Sequence, residues 1–263
     1  MPNRAPGNGW WPSPDGKWLV EDLNSSDTRP RSPALRVVRA DGTLEWKVDF
    51  LEDTGISSRR YSLEAWSNDG NFMYIGHRVG MRDGSGIQYC GPDGIWRLDL
   101  RDGTLAPFLE FDAPVSECWN FAFSPQALKL AYIPPYTPRH LIVMDMNSGK
   151  KLGYDFNSNY WGAGLIQWSD DQRQLIMVAS RQDETSTVQS QDPPAKSSLF
   201  WIRIVDDVLA VEEVFSQSGY FYPHDWQGDR VLVSPYSGAS SYWEVYLSSQ
   251  IAIEIMLTPT PKP

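Results

Sequence analysis

One phrase recurs about five times along the chain, and it constrains the fold more than any other feature. It reads WPSPDGKWLV at Trp11–Val20, WSNDGNFMYI at Trp66–Ile75, FSPQALKLAYI at Phe123–Ile133, WSDDQRQLIMV at Trp168–Val178 and WQGDRVLV at Trp226–Val233. An aromatic closes one β segment, a short polar turn follows, and a second β segment begins. With Pro12, Trp66, Phe123, Trp168 and Trp226 as anchors, the intervals are 54, 57, 45 and 58 residues. A period near 50 predicts stacked or radial repeats. Such a scaffold specifies architecture and leaves the ligand open.

Each repeat parses into four short strands, here a to d. The turns between c and d are Ala40-Asp-Gly-Thr43, Arg101-Asp-Gly-Thr104 and Asn147-Ser-Gly-Lys150. Those between a and b include Pro14-Asp15-Gly16 and Asn68-Asp69-Gly70. Asp-Gly and Ser-Gly supply the positive φ of tight hairpins. Strand c of the second repeat alternates cleanly, with Trp96, Leu98 and Leu100 on one side and Arg97 and Asp99 on the other. No stretch of a dozen residues carries a helical period. The prediction is an all-β chain: a β-propeller of about five four-stranded blades over residues 1–257, or part of a larger ring, followed by a Thr/Pro-rich tail at 258–263. The 12 Trp, 12 Tyr and 10 Phe suit it, because rings fill wide inter-sheet spaces.

Charge narrows the partners. The net charge of −10 opposes binding to a nucleic-acid backbone and docking on an anionic membrane. No apolar run approaches the roughly 18 residues that span a bilayer, so membrane insertion is not expected. The first residues, MPNRAPGNGWW, contain no apolar core of a secretory signal.

The phrase Ser13-Pro-Asp-Gly-Lys17 before an apolar strand resembles the repeat of TolB-type (WD-repeat-like) propellers. So do Leu141–Met146 followed by Asn-Ser-Gly, and Ile95–Leu100 followed by Arg-Asp-Gly. The resemblance covers nearly the whole chain and is weakest in the fifth repeat, where Gln227-Gly228-Asp229 is one residue short. It implies a propeller, often extracytoplasmic and bacterial, often a protein-interaction platform and sometimes the gating domain of a peptidase. TolB-type rings commonly have six blades. Five repeats therefore mean either a five-blade ring or a ring lacking blades.

In a propeller the d–a and b–c loops share one face. Here that face receives the long segments 23–32, 51–60, 78–94 and 181–196. Long loops on a rigid scaffold commonly bind. Aromatics gather where the chain enters the a strands: Trp11, Tyr61, Trp119, Tyr160, Trp161, Tyr220 and Tyr222. They form a candidate ligand site at the channel mouth, for a protein or peptide or for a glycan. The competing reading is packing between blades, which needs large side chains at the same places. Cys90 and Cys118 fall on this face in neighbouring repeats and are a candidate disulfide; two buried thiols are the alternative.

No catalytic residue is assigned. His77, His140 and His224 are scattered, and none has metal-ligand spacing, so no metal or cofactor is expected. His224 and Asp225 are adjacent, and a regular strand would send them to opposite faces. The alternative with structural logic is a carbohydrate-binding propeller or a five-bladed glycoside hydrolase, with Glu64, Glu117 and Asp225 as candidate carboxylates. Against it, Gly9–Pro12 and Gly162–Trp168 carry no acid. The leading expectation is a non-catalytic propeller that binds a protein or peptide.

Overall fold

The recurring phrase folds the same way in the first, second and fourth repeats. In the first repeat Ser13 Oγ donates to Asp15 Oδ1 across 2.7 Å, Lys17 N–H donates to the same oxygen at 3.1 Å, and Trp18 N–H donates to Ser13 Oγ at 2.9 Å. Ser67, Asp69, Asn71 and Phe72 repeat this pattern at 2.6, 3.0 and 2.8 Å. Ser169, Asp171, Arg173 and Gln174 repeat it at 2.6, 3.0 and 3.1 Å. One serine and one aspartate thus satisfy the backbone donors that a two-strand reversal leaves open. The turn closes with a residue at positive φ. It is Gly16 (70°) and Gly70 (70°) where the sequence offers glycine, and Ala127 (51°) and Gln172 (59°) where it does not.

The computed structural model describes residues 10–23, 35–48, 59–79, 92–110, 120–134, 137, 139–182, 195–235 and 241–256, without the side chains of 59–61, 77–79, 92–93, 110, 120, 161, 182 and 195. These form twenty strands in five four-stranded antiparallel sheets, each in simple sequential order. The first sheet holds β1 (Trp10–Pro12), β2 (Trp18–Asp22), β3 (Leu35–Arg39) and β4 (Glu45–Val48). The second holds β5 (Arg59–Trp66), β6 (Phe72–Val79), β7 (Pro92–Asp99) and β8 (Leu105–Glu110). The third holds β9 (Asn120–Phe123), β10 (Lys129–Ile133), β11 (His140–Asp145) and β12 (Lys151–Asp155). The fourth holds β13 (Tyr160–Trp168), β14 (Gln174–Gln182), β15 (Ala195–Val205) and β16 (Val208–Ser218). The fifth holds β17 (Phe221–Gln227), β18 (Arg230–Pro235), β19 (Ser241–Tyr246) and β20 (Ile251–Met256). The chain separates into two compact units, the first built on β1–β8 and the second on β9–β20.

In the first unit, Val20, Leu35, Val37, Met73, Ile75, Leu98 and neighbours form one apolar cluster between the first two sheets. Trp46 adds a hydrogen bond from Nε1 to Leu100 O at 3.3 Å, and its indole fills the space that a Cβ on Gly103 would need. In the second unit, Leu141, Val143, Leu175, Met177, Phe200 and Ile202 lie between the third and fourth sheets. Ile176, Val178, Leu199, Phe221, Val231 and Val245 lie between the fourth and fifth. The fourth sheet therefore buries both faces, and β14 is a continuous buried run over residues 175–180. A fully buried side chain such as Leu175 contributes about 1.5–3 kcal/mol. Trp168 Nε1 donates to Ala122 O at 2.9 Å, and Gln167 Nε2 to Pro223 O at 2.8 Å, so polar contacts also tie the three sheets together.

The fourth sheet is longer than its sequence suggests. The pattern predicts a loop over 181–196, but β14 runs to Gln182 and β15 starts at Ala195, in nine unbroken pairs from Gln174↔Arg203 to Gln182↔Ala195. Serines at the ends of the predicted arms hid this extension. Ser180 and Ser197 are both fully buried, and their hydroxyls bond to each other at 3.0 Å, so each of these polar oxygens on an apolar face has a hydrogen-bond partner. Residues 183–194 lie outside the described residues. The tight turn that the pattern places between Val205 and Leu209 is made without glycine, by Asp206 (φ 48°) and Asp207 (φ 63°), both in left-handed backbone.

Candidate functional site

Three inner strands carry irregularities at the same depth. In β5 the pairing skips between Leu63 and Ala65, in β13 between Gly164 and Gln167, and in β17 between Pro223 and Asp225. Each skip is a bulge, which re-aims the residue it leaves unpaired. Two of those residues are chemically active types, Glu64 and His224. Regular alternation, which would send His224 and Asp225 to opposite faces, does not hold here, because Asp225 pairs with Leu232 while Pro223 pairs with Val233.

His224 stands at the centre of a small cluster on the fifth sheet. Its Nε2 is hydrogen-bonded to Ser234 Oγ. The Tyr222 and Tyr242 rings lie near it, each with its centroid 6.5 Å from that of the imidazole. Both tyrosines are half-buried, and His224 is exposed. Asp225, one of the candidate carboxylates, accepts from Gln227 Nε2 at 2.8 Å. In the first unit, Glu64 accepts from Ser62 Oγ. Its carboxylate lies where a side chain on Gly76 would stand, since a Cβ there would come within 2.5 Å of Glu64 Oε1. Glu117, the third candidate, lies outside the described residues.

The aromatics singled out by position fall into different settings. Trp11 is half-buried and packs beside the first unit's core. Tyr220 is half-buried and packs against the cluster between the fourth and fifth sheets. Tyr222 belongs to the His224 cluster. The backbones of Tyr61 and Trp161 lie in β5 and β13, and their side chains are outside the described residues, as are Trp119, Cys90 and Cys118 altogether.

Tyr160 turns inward. It is only 5% exposed, with its ring centroid 6.3 Å from that of Phe156 and 5.5 Å from that of Phe200. Its hydroxyl donates to Glu213 Oε2 at 3.0 Å, Ser198 Oγ donates to Glu213 Oε1 at 3.0 Å, and the Arg181 guanidinium lies 5.5 Å from the ring centroid. Burial, helped by the adjacent Glu213 carboxylate, pushes the phenol above its ordinary range. Tyr160 thus braces the end of the fourth sheet. Among the described residues no group of three His, Cys, Asp or Glu side chains could hold a metal ion. Among them, too, no helix is long and apolar enough to cross a membrane.

The five sequential antiparallel sheets define the class of protein, a β-propeller, and solved structures agree. A Mycobacterium tuberculosis puromycin-hydrolyzing peptidase superposes with a TM-score of 0.51 at 13% identity, over 95% of this chain and 38% of that one. The acylaminoacyl peptidase of Pyrococcus horikoshii gives 0.50 at 16% identity, over 79% of this chain and 34% of that one. A putative TolB from Agrobacterium tumefaciens also aligns, at 15% identity over 80% of this chain and 65% of that one, but its TM-score of 0.39 adds nothing to the assignment. The chain thus spans less than two thirds of each of these proteins, and at such identities the likeness shows fold and nothing finer. No family model matches the chain, and no curated protein matches it.

Proposed function

We propose that this chain is a non-catalytic propeller module that binds a protein or peptide through aromatic side chains at the ends of its inner strands. The observation that carries the reading is the Tyr222–His224–Tyr242 cluster, two half-buried rings each 6.5 Å from an exposed imidazole. Tyrosine offers large contact area at small entropic cost and a hydroxyl for a backbone partner. Tyr220 lies just before the same strand, and the reading extends to Trp119 and Trp161, which the sequence puts where the chain enters inner strands. Trp11 and Tyr61 are the corresponding positions of the first unit. The two candidate carboxylates among the described residues are already engaged, Glu64 by Ser62 and Asp225 by Gln227, which favours binding over hydrolysis.

The test is a peptide-display selection on the immobilised folded chain, followed by affinity measurements on Tyr222→Ala and Tyr242→Ala. Each variant should weaken the selected peptides by roughly tenfold, as loss of an aromatic anchor does, with an unchanged circular dichroism spectrum. Wild-type affinity in both variants would refute the reading.

The same rings beside His224 and Ser234 also suit the face of a sugar, which is the second reading. A glycan array separates the two: hits that vanish in Tyr222→Ala favour carbohydrate. An extracytoplasmic setting is proposed on the Thr-Pro composition of residues 258–263, and cell fractionation tests it.

A further inference from the structure

The outer strand of the fifth sheet differs from its counterparts. Along β4, β12 and β16, exposed positions are interspersed with half-buried or buried ones. Along β20, Ile-Ala-Ile-Glu-Ile-Met, all six positions are exposed. Ile251 is 54% exposed, Ile253 49%, Ile255 36% and Met256 71%. The three isoleucines lie opposite Tyr246, Glu244 and Tyr242 of β19, so they share one face. Edge strands are usually blunted by lysine, proline or a bulge. β20 contains neither residue, and its pairing with β19 runs unbroken from Tyr246↔Ile251 to Ser241↔Met256.

Charge sets it apart as well. Acids on the other outer strands are engaged: Glu45 meets Arg36 at 3.0 Å, Asp155 meets His140 at 2.6 Å, Glu212 pairs with Arg203, and Glu213 accepts from Tyr160 and Ser198. Glu254 lies opposite Trp243, and among the described residues no ion pair joins it. The strand is therefore a straight, apolar pairing edge with one uncompensated negative charge at its centre.

We propose that the free edge of β20 accepts an extended peptide segment as a fifth strand, one that alternates aliphatic residues and carries a lysine or arginine opposite Glu254. Backbone pairing supplies affinity, the isoleucine row grips alternate side chains, and the carboxylate selects a cation. A second copy of this chain fits less well. Antiparallel self-pairing about Ile253 would align all the isoleucines. It would also set the two Glu254 carboxylates diagonally about 7–8 Å apart on the other face, in a chain whose net charge is already −10. The isoleucine row adjoins the ring cluster, since Ile255 lies opposite Tyr242, but strand pairing along β20 does not depend on the function proposed above.

The probe is an acetylated, amidated octapeptide that alternates valine and threonine around one central lysine, compared with its glutamate twin by fluorescence anisotropy. The lysine peptide should bind the wild-type chain roughly fivefold more tightly, the factor that about 1 kcal/mol of cross-strand charge pairing gives. Glu254→Lys should reverse the preference, Ile253→Asp should abolish binding of both peptides, and Tyr222→Ala should change neither. Failure of the lysine peptide to bind, equal binding of the twins, or unchanged binding by Ile253→Asp overturns the proposal. Sedimentation equilibrium tests the other occupant: a wild-type dimer that Ile253→Asp dissociates would assign the edge to a second copy instead.

Discussion

Ser124 Oγ donates to Gln172 Oε1 across 2.7 Å, with both residues almost wholly buried. The two occupy turn positions in neighbouring repeats. Ser124 holds the place of the turn serine, and Gln172 the place that glycine takes in the first two repeats. The third repeat has no aspartate in its turn, so its serine bonds to the next sheet instead. Ser124→Ala should destabilise the chain by about 1–3 kcal/mol, because the Gln172 carbonyl oxygen loses its buried donor. Gln172→Ala should cost a similar amount. The double variant should lose clearly less than the two single losses combined. Urea midpoints read this directly, and strictly additive losses would show that the bond contributes nothing.

The turn between β15 and β16 is strained. Asp206 and Asp207 hold positive φ values of 48° and 63°, which cost L residues other than glycine about 1 kcal/mol each. Asp207 also pairs with Lys150 at 2.6 Å, where both side chains are more than half exposed. Such a pair contributes little. Asp207→Gly should therefore raise the melting temperature, and Lys150→Ala should leave it nearly unchanged. A lower melting temperature for Asp207→Gly would mean that the aspartate side chain holds the turn.

Acid sensitivity follows from the turn carboxylates. Hydrogen bonds from the Arg101 guanidinium hold Asp99 down at about 2, from an ordinary 3.8. At Asp15 and Asp69 partial burial opposes ionisation, but hydrogen bonds from Ser13 and Lys17, or from Ser67 and Asn71, outweigh it and lower both. Asp171 is lowered first by Ser169. A carboxyl lowered in the folded state gives stability that is complete above its unfolded value and disappears as pH falls through the folded one. Stability should thus hold down to about pH 4 and decline toward about pH 2. Arg101→Gln should return the Asp99 titration, followed by carboxyl NMR, toward 3.8. An unmoved titration would remove Arg101 as the cause.

Gly76 makes room for Glu64. A methyl group there would approach the Glu64 carboxylate at 2.5 Å and its Cδ and Cγ at 2.9 Å. Gly76→Ala should destabilise by about 1–3 kcal/mol, the usual range for an overpacked site. Adding Glu64→Ala should recover most of the loss. If it recovers none, the cost comes from the β6 backbone and not from the carboxylate.

Much of this architecture is legible in the residues. The anchors Pro12, Trp66, Phe123, Trp168 and Trp226 mark the ends of inner strands or fall one residue short of them, and Asp15-Gly16 and Asp69-Gly70 mark turns, because a hairpin's needs are met within half a dozen residues. The candidate site was much less legible. Position placed Tyr160 and Tyr222 in the same class, yet one is buried beside Phe200 and the other stands next to His224.

Sequence by itself determined the period, the strand order and the turn chemistry of this protein, all of which depend on near neighbours along the chain. Only the tertiary structure decided which inner-strand residues the bulges re-aim, which serines could be buried in pairs, and that Ile251, Ile253 and Ile255 meet solvent. Those outcomes depend on register and packing between strands distant in sequence, where a shift of one residue exchanges the inside of a sheet for its outside.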